Sequence, residues 1–94
     1  MPKIDIEREH NKPSRQEVKE LVQQLADRLS DRYDLDCRWN GDDLEFKRKG
    51  ADGRIVVDDR KVRLVMNVSM LLAPLKGEIE KRTHRYMDEL IGPG

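Results

Sequence analysis

Residues 61–72 read Lys-Val-Arg-Leu-Val-Met-Asn-Val-Ser-Met-Leu-Leu. Val62, Leu64, Met66, Val68 and Met70 take alternate positions, with Arg63, Asn67 and Ser69 between them. Side chains on a strand point alternately to opposite faces, so the stretch reads as one long strand with one buried and one wet face. No neighbouring run in the chain is long enough to pair with all of it. A sheet with this strand flanked on both sides is therefore the scaffold to expect.

The other elements follow from their periods. Ile4 and Ile6 alternate with Asp5 and Glu7, predicting a strand over 3–9 that ends before Pro13. Ser14 and Glu17 stand at capping-box spacing, where each side chain satisfies a free backbone N–H of the first helical turn. Val18, Leu21, Val22, Leu25, Ala26 and Leu29 then recur at intervals of three and four, which predicts a helix over 14–33 closed by Tyr33. From Leu35 the period becomes two. Strands are expected over 35–40, 43–49 and 53–58, with turns at Asn40–Asp43, at Gly50–Gly53 and at Asp58–Lys61. Pro74 ends the long strand at 61–72, and Leu75, Ile79, Thr83, Tyr86, Met87 and Leu90 line a second helix over 75–91. Gly92-Pro93-Gly94 stops that helix, leaving a tail at 92–94 expected to be disordered.

Pairing is constrained because a one-residue slip turns every apolar side chain to the wrong face. The pattern sets Val57 opposite Val62 and Ile55 opposite Leu64. It sets Val57 opposite Leu44 and Ile55 opposite Phe46, then Leu44 opposite Trp39 and Phe46 opposite Cys37. On the outer face Arg38 meets Glu45 and Asp36 meets Lys47, with Lys47 beside Arg54 as the one unfavourable pair. The long strand then overhangs its neighbour, and residues 66–72 need another hydrogen-bonding partner. The first strand is the remaining candidate. The expected fold is a single two-layer α+β domain over residues 1–94, in the order β-α-β-β-β-β-α. Its sheet is antiparallel and five-stranded, in spatial order 1-5-4-3-2, with both helices on one face and a helix-grip-like outline.

Charge and motif content narrow the function. Lys plus Arg and Asp plus Glu both number 19, so the chain lacks the overall electrostatic footprint of a nucleic-acid or anionic-membrane binder. Cys37 is the one cysteine, which leaves no internal disulfide. The opening residues carry no apolar run of the signal-peptide kind, so the cytoplasm is the expected compartment. No window has the apolar length of a membrane span. No Gly-x-Ser-x-Gly, P-loop or dinucleotide fingerprint occurs. Arg8, Glu9 and His10 form the most suggestive polar cluster, read either as a capped strand end or as a contact point for a partner. Glu80, His84 and Asp88 form a column of one histidine and two carboxylates, too few for the usual zinc site, so exposed charge pairing is expected and a metal is not. Cys37 on the buried face acts as a small hydrophobe. The basic patch of Lys47, Arg48, Lys49 and Arg54 has no interleaved aromatic for base stacking, so no nucleic acid is expected.

Several segments occur together in order: Ile4-Asp5-Ile6-Glu7-Arg8-Glu9-His10, Trp39 followed by Leu44-Glu45-Phe46-Lys47-Arg48-Lys49-Gly50, Gly53-Arg54-Ile55-Val56-Val57, Pro74-Leu75-Lys76-Gly77-Glu78-Ile79-Glu80 and Met87-Asp88-Glu89-Leu90. Together they resemble the small polyhydroxyalkanoic acid system family of bacterial granule-regulatory proteins. The resemblance spans nearly the whole chain. It departs at Lys12, where a leucine is expected after the Arg-x-His motif, and at Thr83, where an aliphatic is expected. It implies a non-enzymatic accessory or regulatory protein of storage-polyester metabolism, without a cofactor, that contacts polyhydroxyalkanoate granules or granule-associated proteins. The expected contact surface comprises Arg8, His10, Lys47, Arg54, Val56 and Val65, with Val56, Val65 and Leu71 as apolar side chains on the outer sheet face. The exposed edges of the first and second strands make a homodimer a further expectation. The alternative is a small acyl-ligand carrier, with the ligand between helix and sheet against Met66, Met70 and Met87.

Overall fold

The alternation that begins at Val62 builds one strand of a five-stranded antiparallel sheet, seen in a computed structural model that describes residues 3–92. The elements are β1 Lys3–Glu9, α1 Arg15–Tyr33, β2 Asp36–Asn40, β3 Asp43–Arg48, β4 Ala51–Val57, β5 Lys61–Val68 and α2 Lys76–Leu90. A short 3₁₀ turn at Ala73–Leu75 leads into α2. The sheet order is β1-β5-β4-β3-β2, as the sequence predicts. Helix α1 lies over β4 and β2, and α2 lies over β1, so the two helices share one face. Of the expected tail, Gly92 is held at φ +107 with its N–H bonded to the Met87 carbonyl at 3.0 Å. Pro93 and Gly94 lie outside the described residues.

Two boundaries differ from expectation by more than one residue, and both change the pairing. Strand β5 ends at Val68, not at Leu72. The Ser69 N–H bonds to the Gly50 carbonyl at 2.8 Å, its hydroxyl accepts from Leu71 N–H at 3.2 Å, and Leu72 N–H turns back to the Ser69 carbonyl at 3.1 Å. That turn breaks the alternation before Met70. Strand β4 begins at Ala51, so Gly53 sits inside a strand instead of in a turn. β5 is therefore paired along both edges, from Ala51↔Val68 to Val57↔Val62 on one side and from Lys3↔Asn67 to Glu9↔Lys61 on the other. The predicted order holds, but the overhang that suggested it does not exist.

The β2–β3 and β4–β5 registers are those expected. The β3–β4 register is displaced by two residues, with Leu44 opposite Ile55 and Phe46 opposite Gly53. A shift of two leaves each side chain on its own face, so apolar alternation is blind to it. The tight turn decides it. Arg48 pairs with Ala51 across Lys49 and Gly50, and Gly50 supplies a φ of +93 that a side-chain-bearing residue adopts only under strain. The displacement sets Glu45 opposite Arg54 and Lys47 opposite Asp52, and the unfavourable Lys47–Arg54 neighbour disappears.

The core lies between the inner sheet face and the two helices. Val18, Val22, Leu25 and Leu29 of α1 and Ile79 and Met87 of α2 close over Ile4, Leu44, Ile55, Leu64 and Met66. Burying each such side chain contributes about 1.5–3 kcal/mol. Ser14 caps α1 by accepting from Glu17 N–H at 3.2 Å, and Asp34 ends it in the left-handed region at φ 58. On the edge strand β2, Cys37 and Trp39 are only half-buried, because no further strand covers them. The Trp39 indole N–H donates to Gln23 Oε1 at 2.6 Å, and Lys19 Nζ stands 4.9 Å from the ring centroid.

Thr83 is fully buried, and its hydroxyl donates to the Ile79 carbonyl one turn back at 2.7 Å. That carbonyl is already an acceptor within the helix, so the hydroxyl satisfies itself without serving a neighbour. Removing the hydroxyl leaves no buried group unpaired, because the Ile79 carbonyl keeps its bond within the helix, so the desolvation penalty of an orphaned partner does not arise. Thr83→Val is therefore expected to keep or raise stability by up to about 1 kcal/mol, checked by urea denaturation. A clear loss would show that the hydroxyl holds something more than its own helix.

Candidate functional site

The sheet face turned away from the helices carries most of the expected contact residues. One cross-strand row runs Arg38–Glu45–Arg54–Val65–Asp5, and the next runs Asp36–Lys47–Asp52–Asn67–Lys3. All of these but Asp5 line an open concavity of about 700 Å³, which brings together Lys47, Arg54 and Val65. Val56 sits half-buried one row away, between Asp43 and Arg63. Signs alternate along each row, so the charges of β2, β3 and β4 compensate one another. Exposed pairs of this kind add only about 0–1 kcal/mol each. Val56 and Val65 are thus isolated among charges, and this face is a solvated ladder without an apolar patch.

Arg8 and His10 are not on that face. Arg8 points with Ile4 and Ile6 toward the helices, and its Nη2 lies 2.9 Å from His84 Nδ1 and 2.9 Å from Asp88 Oδ1. Arginine only donates, so His84 Nδ1 accepts. Of the α2 column, Glu80 makes the expected pair within the helix, with Lys76, whereas His84 and Asp88 take Arg8 of β1 instead. His10 is 8% exposed. Its Nδ1 accepts from Lys12 N–H at 3.2 Å, which leaves Nε2 to donate to the Asp58 carbonyl at 2.9 Å. Its own N–H reaches the Arg60 carbonyl at 2.8 Å. His10 is a clamp on the β4–β5 turn, not an exposed contact.

A cluster that periodicity does not reveal ties the same end of the domain together. Arg15, the first residue of α1, donates from Nε to Asp59 and from Nη1 to Asp42, both at 2.6 Å. It therefore links the helix start to the β2–β3 and β4–β5 turns. These bonds hold Asp59 and Asp42 below the ordinary carboxylate range, as Arg63 holds Asp5. A carboxyl with a lowered folded-state pKa adds stability above its unfolded value, near 3.8, and loses it as pH falls through the folded value. Stability is expected to be level above about pH 5 and to fall below about pH 4. Arg15→Gln should make that acid limb shallower, read from denaturation midpoints across the range. An unchanged limb would show that the cluster contributes nothing in solution.

The opposite end carries apolar side chains in solvent. Met70 is 81% exposed, Leu71 58% and Leu75 39%, all on the turn between β5 and α2. This corrects three expectations at once: Met70 does not face inward, Leu71 is not on the outer sheet face, and Leu75 does not join the α2 stripe. Met66 and Met87 are fully buried in the core, so the three methionines form no groove. The turn is fixed by the Ser69 bonds and by Leu75 N–H donating to the Leu72 carbonyl at 2.8 Å. Leu71 and Leu72 also lie against the β3–β4 turn: a Cβ on Gly50 would stand 3.2 Å from Leu71 Cδ2 and 3.0 Å from Leu72 Cγ. Lys47 and Arg48 share a smaller concavity with Ser69. Arg48 Nη1 donates to the Tyr33 carbonyl at 2.7 Å, and Tyr33 donates to Glu78 at 3.0 Å. Burial and the Glu78 carboxylate push the Tyr33 phenol up to about 12. These contacts brace the start of α2 behind the tip. The sequence signal was the run Met70-Leu71-Leu72-Ala73-Pro74-Leu75, too continuous for an alternating strand.

The architecture defines a two-layer α+β domain with an open antiparallel sheet, charged on its free face and apolar at one tip. The family model for polyhydroxyalkanoic acid system proteins matches residues 4–91, and the chain belongs to that family. Neither the curated proteins nor the solved structures gave a match. No helix among the described residues is long and apolar enough to cross a membrane.

Proposed function

We propose that this chain is a non-enzymatic accessory or regulatory protein of polyhydroxyalkanoate metabolism, working by contact with the granule or with proteins on it. Family membership supplies the pathway. The observation that carries the contact is the tip: three large apolar side chains exposed together on a hydrogen-bonded turn, in a chain that is 40% charged. Large apolar side chains gathered in solvent on one turn are the kind of surface from which interaction sites are built. The disposition of the reactive side chains supports a non-catalytic reading. Burial pushes the Cys37 thiol up, away from the thiolate that a nucleophile needs. His10 has both ring nitrogens engaged by backbone groups. The acyl-carrier alternative loses the methionine groove on which it rested.

The test is density fractionation of native granules from polymer-accumulating cells. The wild-type protein is expected to float with the granules. Met70→Ser/Leu71→Ser should move to the soluble fraction while keeping its melting temperature. A wild-type protein found wholly in the soluble fraction would overturn the reading.

A further inference from the structure

We infer that the chain pairs with a second copy of itself along the free edge of β2. The two-fold axis passes between Cys37 and its copy, which sets Asp36 of each chain opposite Arg38 of the other. This pairing is separate from granule contact and stands or falls without it.

Backbone direction is the first ground. β2 is the last strand of the sheet, so one of its edges has no neighbour. The Val57 N–H bonds to the Asp42 carbonyl, which fixes the direction of the groups that follow. Leu44 and Phe46 turn their amides and carbonyls toward β4, and Asp43, Glu45 and Lys47 turn theirs toward β2. Asn40, Arg38 and Asp36 answer them, so the backbone groups of Cys37 and Trp39 point out of the sheet. No other backbone group among the described residues bonds to them. Such an edge accepts an antiparallel strand, and a second copy supplies one by a closed two-fold contact.

Charge selects the register. The two outer rows that reach this edge end in opposite signs, as Asp36–Lys47–Asp52 and Arg38–Glu45–Arg54. An axis at Cys37 joins the end of each row to the end of the other. Alternation then continues through the joint: Asp52, Lys47 and Asp36 of one copy, then Arg38, Glu45 and Arg54 of the next. An axis at Arg38 would set that arginine against itself, and one at Asp36 would oppose two carboxylates. On the helix side Lys19 is held by Asp42 and the Gly41 carbonyl, and Asp27 by Gln23, so neither is left unpaired at the joint. The edge of β1 is unsuited to the same use. Its outer residues include Asp5, Glu7 and Glu9, and every axis through residues 5–9 sets acid against acid.

Cover is the third ground. Cys37 and Trp39 are half-buried on the inner face of β2. An axis at Cys37 sets Cys37 against its copy and Trp39 against Leu35, which extends the core across the joint. Helix α1 lies over β4 and β2, centred on β3 between them. Three strand spacings then separate the two copies of α1 by about 14 Å, wider than the 8–10 Å of packed helices, so they do not collide. A five-residue strand is small beside the roughly 800 Å² a side of a standard interface, so the dimer is a weak and reversible one.

The experiment is sedimentation equilibrium of the reduced full chain from micromolar to millimolar concentration, with amide hydrogen exchange at both ends of the range. The wild type is expected to pass reversibly from monomer to dimer mass, and its Cys37 and Trp39 amides to slow several-fold as it does. Asp36→Arg opposes two cations at both pairs and Arg38→Asp opposes two anions, so each should weaken the dimer about tenfold or more. Mixed in equal amounts, the two variants should dimerise as the wild type does, because opposite signs then face each other at both pairs. Each should melt close to the wild type, since both side chains are exposed. A wild type that keeps monomer mass throughout overturns the pairing and leaves the edge to a strand of another protein. A dimer indifferent to Asp36→Arg, or variants that do not recombine on mixing, places the axis elsewhere and overturns it too.

Discussion

Gly53→Ala is expected to cost about 3 kcal/mol, the upper end of what overpacking usually costs. Gly53 lies inside β4, opposite Phe46 on one side and Met66 on the other. A Cβ there would overlap the Val65 carbonyl oxygen and stand 2.9 Å from both Met66 Cα and Phe46 Cζ. Two of those atoms are backbone of the neighbouring strand, so no rotamer change relieves the conflict. The inner face has closed over the missing side chain, and the phenyl ring of Phe46 occupies the space. At this chain length such a loss lowers the melting temperature by roughly 12–24 °C. Gly77→Ala provides the opposite control. Nothing lies within 4 Å of a Cβ at Gly77, in the first turn of α2. That change should be neutral or stabilise by about 0.5 kcal/mol. Paired thermal melts decide it. If the two substitutions behave alike, the close approach of β5 to Gly53 is not present in solution.

The register around Gly53 lies beyond what hydrophobic alternation specifies. Alternation identifies which face a side chain takes, and it places the apolar residues of the observed strands correctly, whereas Met70 and Leu71 lie beyond the end of β5. It carries no information about a shift of two residues, so Gly53 was read as a turn marker and Ile55 was set opposite Phe46. The decisive feature was the two-residue turn Lys49–Gly50, whose geometry depends on one backbone angle at Gly50. The outer charges did hold the answer. Only the observed register places Lys47 beside Asp52 and Glu45 beside Arg54. The predicted Lys47–Arg54 contact was the sign that the pairing had slipped.

The contact surface was less legible, for a different physical reason. Lys47, Arg54 and Val65 share a concavity because strand periodicity governs the sheet face. His10 and Arg8 depend on groups distant in sequence, Asp58 for one and His84 with Asp88 for the other. No local pattern announces such partners. The tip was hidden by its own composition, since Met70 and Leu71 continue an apolar run that looks like strand. Ser69 marks the break, its hydroxyl bonding the Leu71 N–H where a strand amide would have sought a neighbour.

Met66→Ala and Met70→Ala should differ sharply. Met66 is 1% exposed, opposite Ile4 on one side and Gly53 on the other. Truncating it removes buried surface and leaves a cavity, at a cost of about 2–5 kcal/mol. The low end does not apply beside Gly53, where the strand backbones are already in contact and the site has little freedom to collapse. Met70 is 81% exposed, and its truncation should change stability by less than about 0.5 kcal/mol. Denaturant midpoints for the two single variants separate the cases. The same measurement weighs the acyl-carrier reading, because a ligand-sized space behind Met66 would already have forfeited the contacts that truncation removes. Small, equal losses at both positions would therefore place open space between helix and sheet and restore the groove. A large loss at Met66 alone keeps that space filled by the protein itself and leaves the tip as the surface that awaits a partner.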